Sequence, residues 1–135
     1  MIVGFTCSSF DLFHAGHVSM LNYAKRHCDY LVVGLQVDPT IDRNEKNKPV
    51  QSLLERFVQV SACKYVDEVI PYETEADLEL LLMTLLPDKR FIGEEYINKK
   101  ITGSEICESQ GTEIIYTHRR HNLSTSELRN RIKGQ

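Results

Sequence analysis

The chain has 135 residues, 41% hydrophobic and 26% charged, which suits one domain with a buried core and argues against global disorder. No apolar run approaches the roughly 20 residues of a membrane span, and the start MIVGFTCSSFD lacks a basic n-region and meets Asp11 early, so a cytoplasmic domain without a membrane partner is expected. A net charge of −3 argues against a nucleic-acid partner.

Short apolar runs alternate with amphipathic segments along the chain. Residues 2–6 (IVGFT) predict a buried strand, and 17–28 a helix with Val18, Leu21 and Ala24 on one face. A second buried strand covers 30–37 (YLVVGLQV). A helix over 52–64 follows, opened by a capping box of Ser52 and Glu55. Residues 68–72 (EVIPY) predict a third strand, and 75–86 a leucine-rich helix stopped before Pro87, whose stripe Leu80–Leu86 reads as core or dimer interface. A short strand over 90–93 and a helix over 104–110 ending at Gly111 come next. A fifth strand covers 113–116, and Ser124 with Glu127 opens a last helix to about Lys133. Strands apolar on both faces, alternating with helices, mean a parallel sheet covered by helices.

Two segments break the short-connection rule. Residues 38–51 (DPTIDRNEKNKPVQ) are long, polar and carry Lys46 and Lys48, the pattern of a functional lid or a disordered linker. Residues 118–123 (HRRHNL) form a basic turn before a helix start. Arg119, Arg120, Arg129, Arg131 and Lys133 face only Glu127 near that end, so an otherwise acidic chain gathers cations locally. Both segments follow strands, at the carboxyl edge where open α/β sheets bind ligands. Cys7, Cys28, Cys63 and Cys107 are scattered without a C-x-x-C pair, as expected of free thiols rather than disulfides or zinc ligands.

The sharpest signal is Ser8–His17, SSFDLFHAGH, between the first strand and the first helix. His14 and His17 are three apart, so in a helical turn they share a face. Gly16 permits close backbone approach, and a helix start offers free N–H groups to an anion. Two imidazoles beside a helix start make a seat for a phosphoryl group. The plainer alternatives are a pair of surface histidines, or a metal pair with no nearby third ligand.

The segment resembles the cytidylyltransferase-like nucleotidyltransferases, most closely the small bacterial glycerol-3-phosphate cytidylyltransferases, whose motif reads Gly-Thr-Phe-Asp-Leu-x-His-x-Gly-His. Here Ser8 and Ser9 replace the Gly-Thr. That family's Arg-Thr-x-Gly-Ile-Ser-Thr-Thr is similar to Arg119-Arg120-His121-Asn122-Leu123-Ser124-Thr125-Ser126, with Arg120 and Asn122 departing from it. Tyr65–Pro71 (YVDEVIP) matches a family strand entry. Gly93-Glu94-Glu95-Tyr96 stands where such enzymes often read Gly-Asp-Asp-Trp.

The resemblance implies a single Rossmann-like α/β domain over 1–135, with a five-stranded parallel sheet and helices on both faces. It implies transfer of CMP from CTP to a small phosphorylated acceptor, glycerol 3-phosphate first, with pyrophosphate released. Mg²⁺ is expected on the nucleotide phosphates rather than on protein ligands, and a homodimer is expected. His14, His17, Lys48 (or Lys46) and Arg119 are the implied catalytic residues. Ser8, Ser9, Phe10, Gly16, Gly93, Glu94, Arg119, Leu123, Ser124 and Thr125 would bind nucleotide. Asp11 and Arg56 would contact the acceptor, unless Asp11 orients the histidine loop and Arg56 is a solvated helix arginine. Lys48 would close over the phosphates from a loop that orders when nucleotide binds. Competing readings are an adenylyltransferase acting on a sugar phosphate or another phosphomonoester, a nucleotide-binding protein without turnover, and a metal-binding module built on His14 and His17.

Overall fold

Strands that are apolar on alternate sides need cover on both, and the sheet is built that way. The computed structural model describes residues 1–118 and 125–134, with Thr125 described by its backbone alone. In chain order it contains β1 (Val3–Ser8), α1 (Ala15–Arg26), β2 (Tyr30–Gln36), a 3₁₀ turn (Pro39–Ile41) and α2 (Leu53–Ser61). Then follow β3 (Glu68–Tyr72), α3 (Glu75–Leu85), β4 (Lys89–Gly93), a second 3₁₀ turn (Glu94–Tyr96), α4 (Ser104–Gln110), β5 (Glu113–Thr117) and α5 (Thr125–Lys133). The five strands are parallel, in the order β3-β2-β1-β4-β5. The winding reverses between β1 and β4, so the crevice of this Rossmann-like sheet opens at their carboxyl ends.

One face of the sheet buries Leu31, Val33, Leu35 and Phe91 against Leu21 and Ala24 of α1 and Val60 of α2. The other buries Phe5, Val32 and Tyr72 against Leu78 and Leu82 of α3 and Cys107 of α4. Each fully buried leucine contributes about 1.5–3 kcal/mol relative to exposure. The leucine stripe of α3 divides by helical phase: Leu78 and Leu82 face the sheet, while Leu80, Met83 and Leu86 are exposed. The chain turns out of α3 at Leu86, left-handed at φ 46°, just before Pro87.

Boundaries shift where hydrogen bonds extend or end an element. β1 continues to Ser8 because its pairing with β2 runs on to Leu35. α1 starts at Ala15, two residues earlier than the apolar periodicity suggests, because His14 caps it. α2 stops at Ser61, where the Ala62 N–H bonds back to Val58 and Val60. All four cysteines are unpaired. Among the described residues no helix is long and apolar enough to cross a membrane.

Candidate active site

The loop between β1 and α1 is held in an unfavourable backbone shape. Phe10 and Leu12 both lie in the left-handed region, at φ 49° and 51°, a conformation costing side-chain-bearing residues roughly 1–2 kcal/mol each. A set of polar clamps offsets that cost. The Asp11 carboxylate accepts the N–H groups of Val50 (2.8 Å) and Gln51 (2.9 Å) and pairs with Arg129 of α5 at 3.0 Å. The Leu12 N–H donates to Gln51 Oε1 at 2.8 Å.

Arg56 is 2% exposed. Its guanidinium donates to the carbonyls of Ser9 (3.0 Å), Gln36 (2.7 Å), Val37 (2.6 Å) and Gln51 (3.2 Å). It therefore ties the carboxyl ends of β1 and β2 to the start of α2. This corrects the expectation that Arg56 holds the acceptor phosphate: four of its five N–H groups are spent on backbone, and it does not border the cleft. Asp11 likewise acts as the clamp of the histidine loop.

His14 and His17 cap α1 in a way that settles their tautomers. His14 Nδ1 accepts the Gly16 N–H at 2.9 Å, and His17 Nδ1 accepts the His14 N–H at 3.1 Å. A neutral imidazole that accepts at Nδ1 carries its proton on Nε2. Both rings thus present Nε2–H donors while their other nitrogens hold the helix start. The rings stack with centroids 3.9 Å apart, and His17 is also stacked on Phe13 (5.5 Å) and edge-on to the buried Phe10 (5.3 Å). Burial first, then the neighbouring His14, lowers the His17 pKa to about 3. His17 is a neutral donor at every physiological pH.

These residues open onto a cleft of about 540 Å³ at the carboxyl ends of β1 and β4. Of the residues singled out in the sequence, Ser8, Ser9, Phe10, Asp11, His14, Gly16, His17 and Gly93 border it. Phe10 is fully buried, so it shapes the wall of the cleft rather than offering an exposed side chain to a ligand. Two expectations shift by a residue or two. Lys46, with Arg43 and Asn47, borders the cleft, whereas Lys48 does not. Glu95 borders it, whereas Glu94 turns to His118 at 3.1 Å. Arg119, Leu123 and Ser124, and the side chain of Thr125, lie outside the described residues.

The 38–51 segment, expected as a free lid, is stiffened at its start and anchored to other elements at two places. Asp38 caps the first 3₁₀ turn through Thr40, a contact that holds its carboxyl below the usual range. Arg43 pairs with Glu75 at 2.7 Å, and the Glu75 N–H donates to Asp42 at 2.6 Å. Val50 and Gln51 hang on Asp11. Only 44–49 span between anchors.

Sequence reasoning passed over Lys100, Arg129, Arg90 and Tyr72, all of which border the cleft. Arg129 carried a signal, the basic end of the chain, but not its reach to Asp11. Tyr72 and Arg90 sit inside predicted strands, where a side chain facing a cleft cannot be told from one facing the core.

The cytidylyltransferase-like family model matches residues 5–131. The bifunctional protein HldE of Paramagnetospirillum magneticum is 36% identical over 133 residues, covering 98% of this chain and 27% of that protein. HldE of Rhodospirillum rubrum is 34% identical over the same shares. The chain thus spans about a quarter of the length of these curated relatives. Among solved structures, the lipopolysaccharide core biosynthesis protein of Thermoplasma volcanium superposes with a TM-score of 0.69 at 26% identity, covering 89% of this chain and 97% of that one. Pantothenate synthetase of Thermus thermophilus shares the fold, with a TM-score of 0.64 at 13% identity over 87% of this chain and 56% of that one.

Proposed function

This chain belongs to the cytidylyltransferase-like family of nucleotidyltransferases, and on that premise we propose that it joins a nucleotidyl group to a small phosphorylated acceptor. One observation carries the reading: two neutral imidazoles, fixed as Nε2–H donors, face a polar cleft at the switch point of the sheet. The acceptor phosphate oxygen attacks the α-phosphorus of a nucleoside triphosphate, a new P–O bond forms, the α–β bridging P–O bond breaks, and pyrophosphate leaves. The second pKa of a phosphomonoester is about 6, so the nucleophile is already dianionic at pH 7 and no general base is required.

What the protein must supply is position and compensation of developing charge. His14 and His17 donate to the non-bridging α-phosphoryl oxygens. Lys46, Lys100 and Arg129 add positive charge from three separate segments, and Arg119, Ser124 and Thr125 extend that surface for the β- and γ-phosphates. Mg²⁺, bound through the nucleotide phosphates, would screen their charge, and the protein's part would be to hold the remaining charge with these cations.

Glu95 can accept a hydrogen bond from the exocyclic amine of cytosine or adenine and would repel the O4 carbonyl of uracil. CTP is the favoured donor by family and ATP the second. For the acceptor, glycerol 3-phosphate rests on the sequence resemblance alone. A sugar phosphate gains support from the Thermoplasma protein, a lipopolysaccharide core biosynthesis protein, and we take the sugar phosphate as the acceptor class. Pyrophosphate release measured across four nucleoside triphosphates and a panel of phosphorylated sugars and polyols tests the proposal. Release with CTP or ATP and at least one acceptor is expected. Nucleotide binding without release in any combination would favour a non-catalytic nucleotide-binding protein.

A further inference from the structure

The cleft crosses from the histidines, on the α1 side of the sheet, to a second wall on the α3–α4 side built from Cys7, Tyr72, Glu75, Arg90 and Thr102. Arg90 is 4% exposed. Its Nη1 donates to the Thr102 carbonyl at 2.6 Å, its Nη2 reaches only the Cys7 sulfur at 3.9 Å, and its Nε has no partner. Among the described residues no carboxylate pairs with it. Glu75 on the same wall is engaged with Arg43 at 2.7 Å, and Asp11 with Arg129. Tyr72 does not supply the missing charge, because burial pushes its phenol up and keeps it protonated.

The surroundings hold the guanidinium in place. Gly103 has a φ of 83°, and a Cβ there would lie 2.5 Å from Leu82 Cδ1 and 3.3 Å from Arg90 Nη1. The glycine lets the 102–103 backbone close on Arg90. A buried guanidinium with unused donors and no counter-charge is costly unless an anion completes it, and its planar fork suits an oxyanion.

We propose that Arg90 holds a second anionic group of the acceptor, a carboxylate or phosphoryl group remote from the reacting phosphate. This inference rests on the nucleotidyl-transfer reading and adds to it a substrate class: a phosphorylated compound that is also an acid or a second phosphate ester. Arg90 is then the residue that selects such acceptors over neutral ones.

Matched pairs test it by calorimetry, with the non-hydrolysable α,β-methylene analogue of CTP or ATP bound. 3-Phosphoglycerate is compared with glycerol 3-phosphate. Glucuronic acid 1-phosphate and glucose 1,6-bisphosphate are compared with glucose 1-phosphate; the first reports a carboxylate and the second a phosphoryl group. In the natural protein at least one anion-bearing member should bind about tenfold or more tighter than its neutral partner. In Arg90→Met that margin should shrink to about twofold or less, with nucleotide affinity unchanged and thermal stability little changed, since loss of the one bond to the Thr102 carbonyl is offset by removal of an uncompensated buried cation. Arg90→Lys keeps the charge without the fork and should shrink the margin at least about threefold, so the test does not depend on the methionine variant folding. Equal binding of both members of every pair by the natural protein would overturn the proposal. So would a margin that survives both substitutions, or a large loss of stability in Arg90→Met with the margin intact. Pyrophosphate release with glucose 1-phosphate or glycerol 3-phosphate, measured alongside, reports the nucleotidyl-transfer reading separately.

Discussion

The ring of His17 caps the helix start and, in the proposed reaction, donates to the substrate. Its Nδ1 accepts the His14 N–H and its Nε2–H is free for a phosphoryl oxygen. Replacing it with alanine should lower turnover by about 10²–10³-fold, the cost of removing one preorganised oxyanion donor, measured as pyrophosphate release. The pH behaviour follows from its depressed pKa. Between about 6.5 and about 3 the unfolded chain binds a proton at this position that the folded chain refuses. Stability from His17 is therefore complete above about pH 6.5 and is lost as pH falls toward 3, with a slope of up to about 1.4 kcal/mol per pH unit. Urea midpoints from pH 7 to 4 should fall less steeply in His17→Gln. The activity profile should show no His17 limb; kcat/KM should instead fall below about pH 6 with protonation of the acceptor phosphate, and that limb should move when a phosphonate of higher pKa replaces the phosphate. The H-x-x-H spacing made the shared face legible in the sequence. The reciprocal caps that choose the tautomers were not, because they depend on where α1 begins, and apolar periodicity placed that start two residues late.

At the scale of elements, Arg56 and Asp11 bind the histidine loop to β2, to 50–51 and to α5. Their sequence context suggested the acceptor, and burial decides otherwise: a guanidinium wrapped in carbonyls and a carboxylate wrapped in backbone N–H groups have little left for a substrate. Arg56→Met should destabilise the fold by at least about 3 kcal/mol, because four carbonyls lose their partner inside the protein at about 1–3 kcal/mol each. A much smaller change is expected for Arg90→Met, which leaves one carbonyl unpaired rather than four, so thermal melts of the two variants separate a brace from a binding group. In the long connection, the Asp38 cap and the anchors at Arg43 and Gln51 confine any closure over phosphates to 44–49. Hydrogen exchange should slow there on nucleotide binding and stay level at 50–51. Lys46→Ala should lower turnover by at least about tenfold, and Lys48→Ala should have a much smaller effect.

Taken whole, an acidic chain with a net charge of −3 concentrates Arg43, Lys46, Lys100 and Arg129 around one crevice. Strand–helix alternation and buried strands were enough to predict the parallel sheet, and the sheet order then places the crevice at the β1–β4 switch point. The residues that reach it from afar were not predictable in the same way. Lys100 and Arg129 are ordinary exposed-looking cations in sequence, and only the fold brings Lys100 to the cleft and Arg129 to Asp11. The most direct test of the account is phosphorus NMR of the natural protein and His17→Ala with CTP or ATP, Mg²⁺ and a panel of sugar phosphates. Nucleotidyl transfer should give pyrophosphate together with a new pyrophosphate diester in the natural protein, and loss of both in the variant. A nucleotide that binds yet yields neither product with any acceptor, or product formed equally well by His17→Ala, would contradict it.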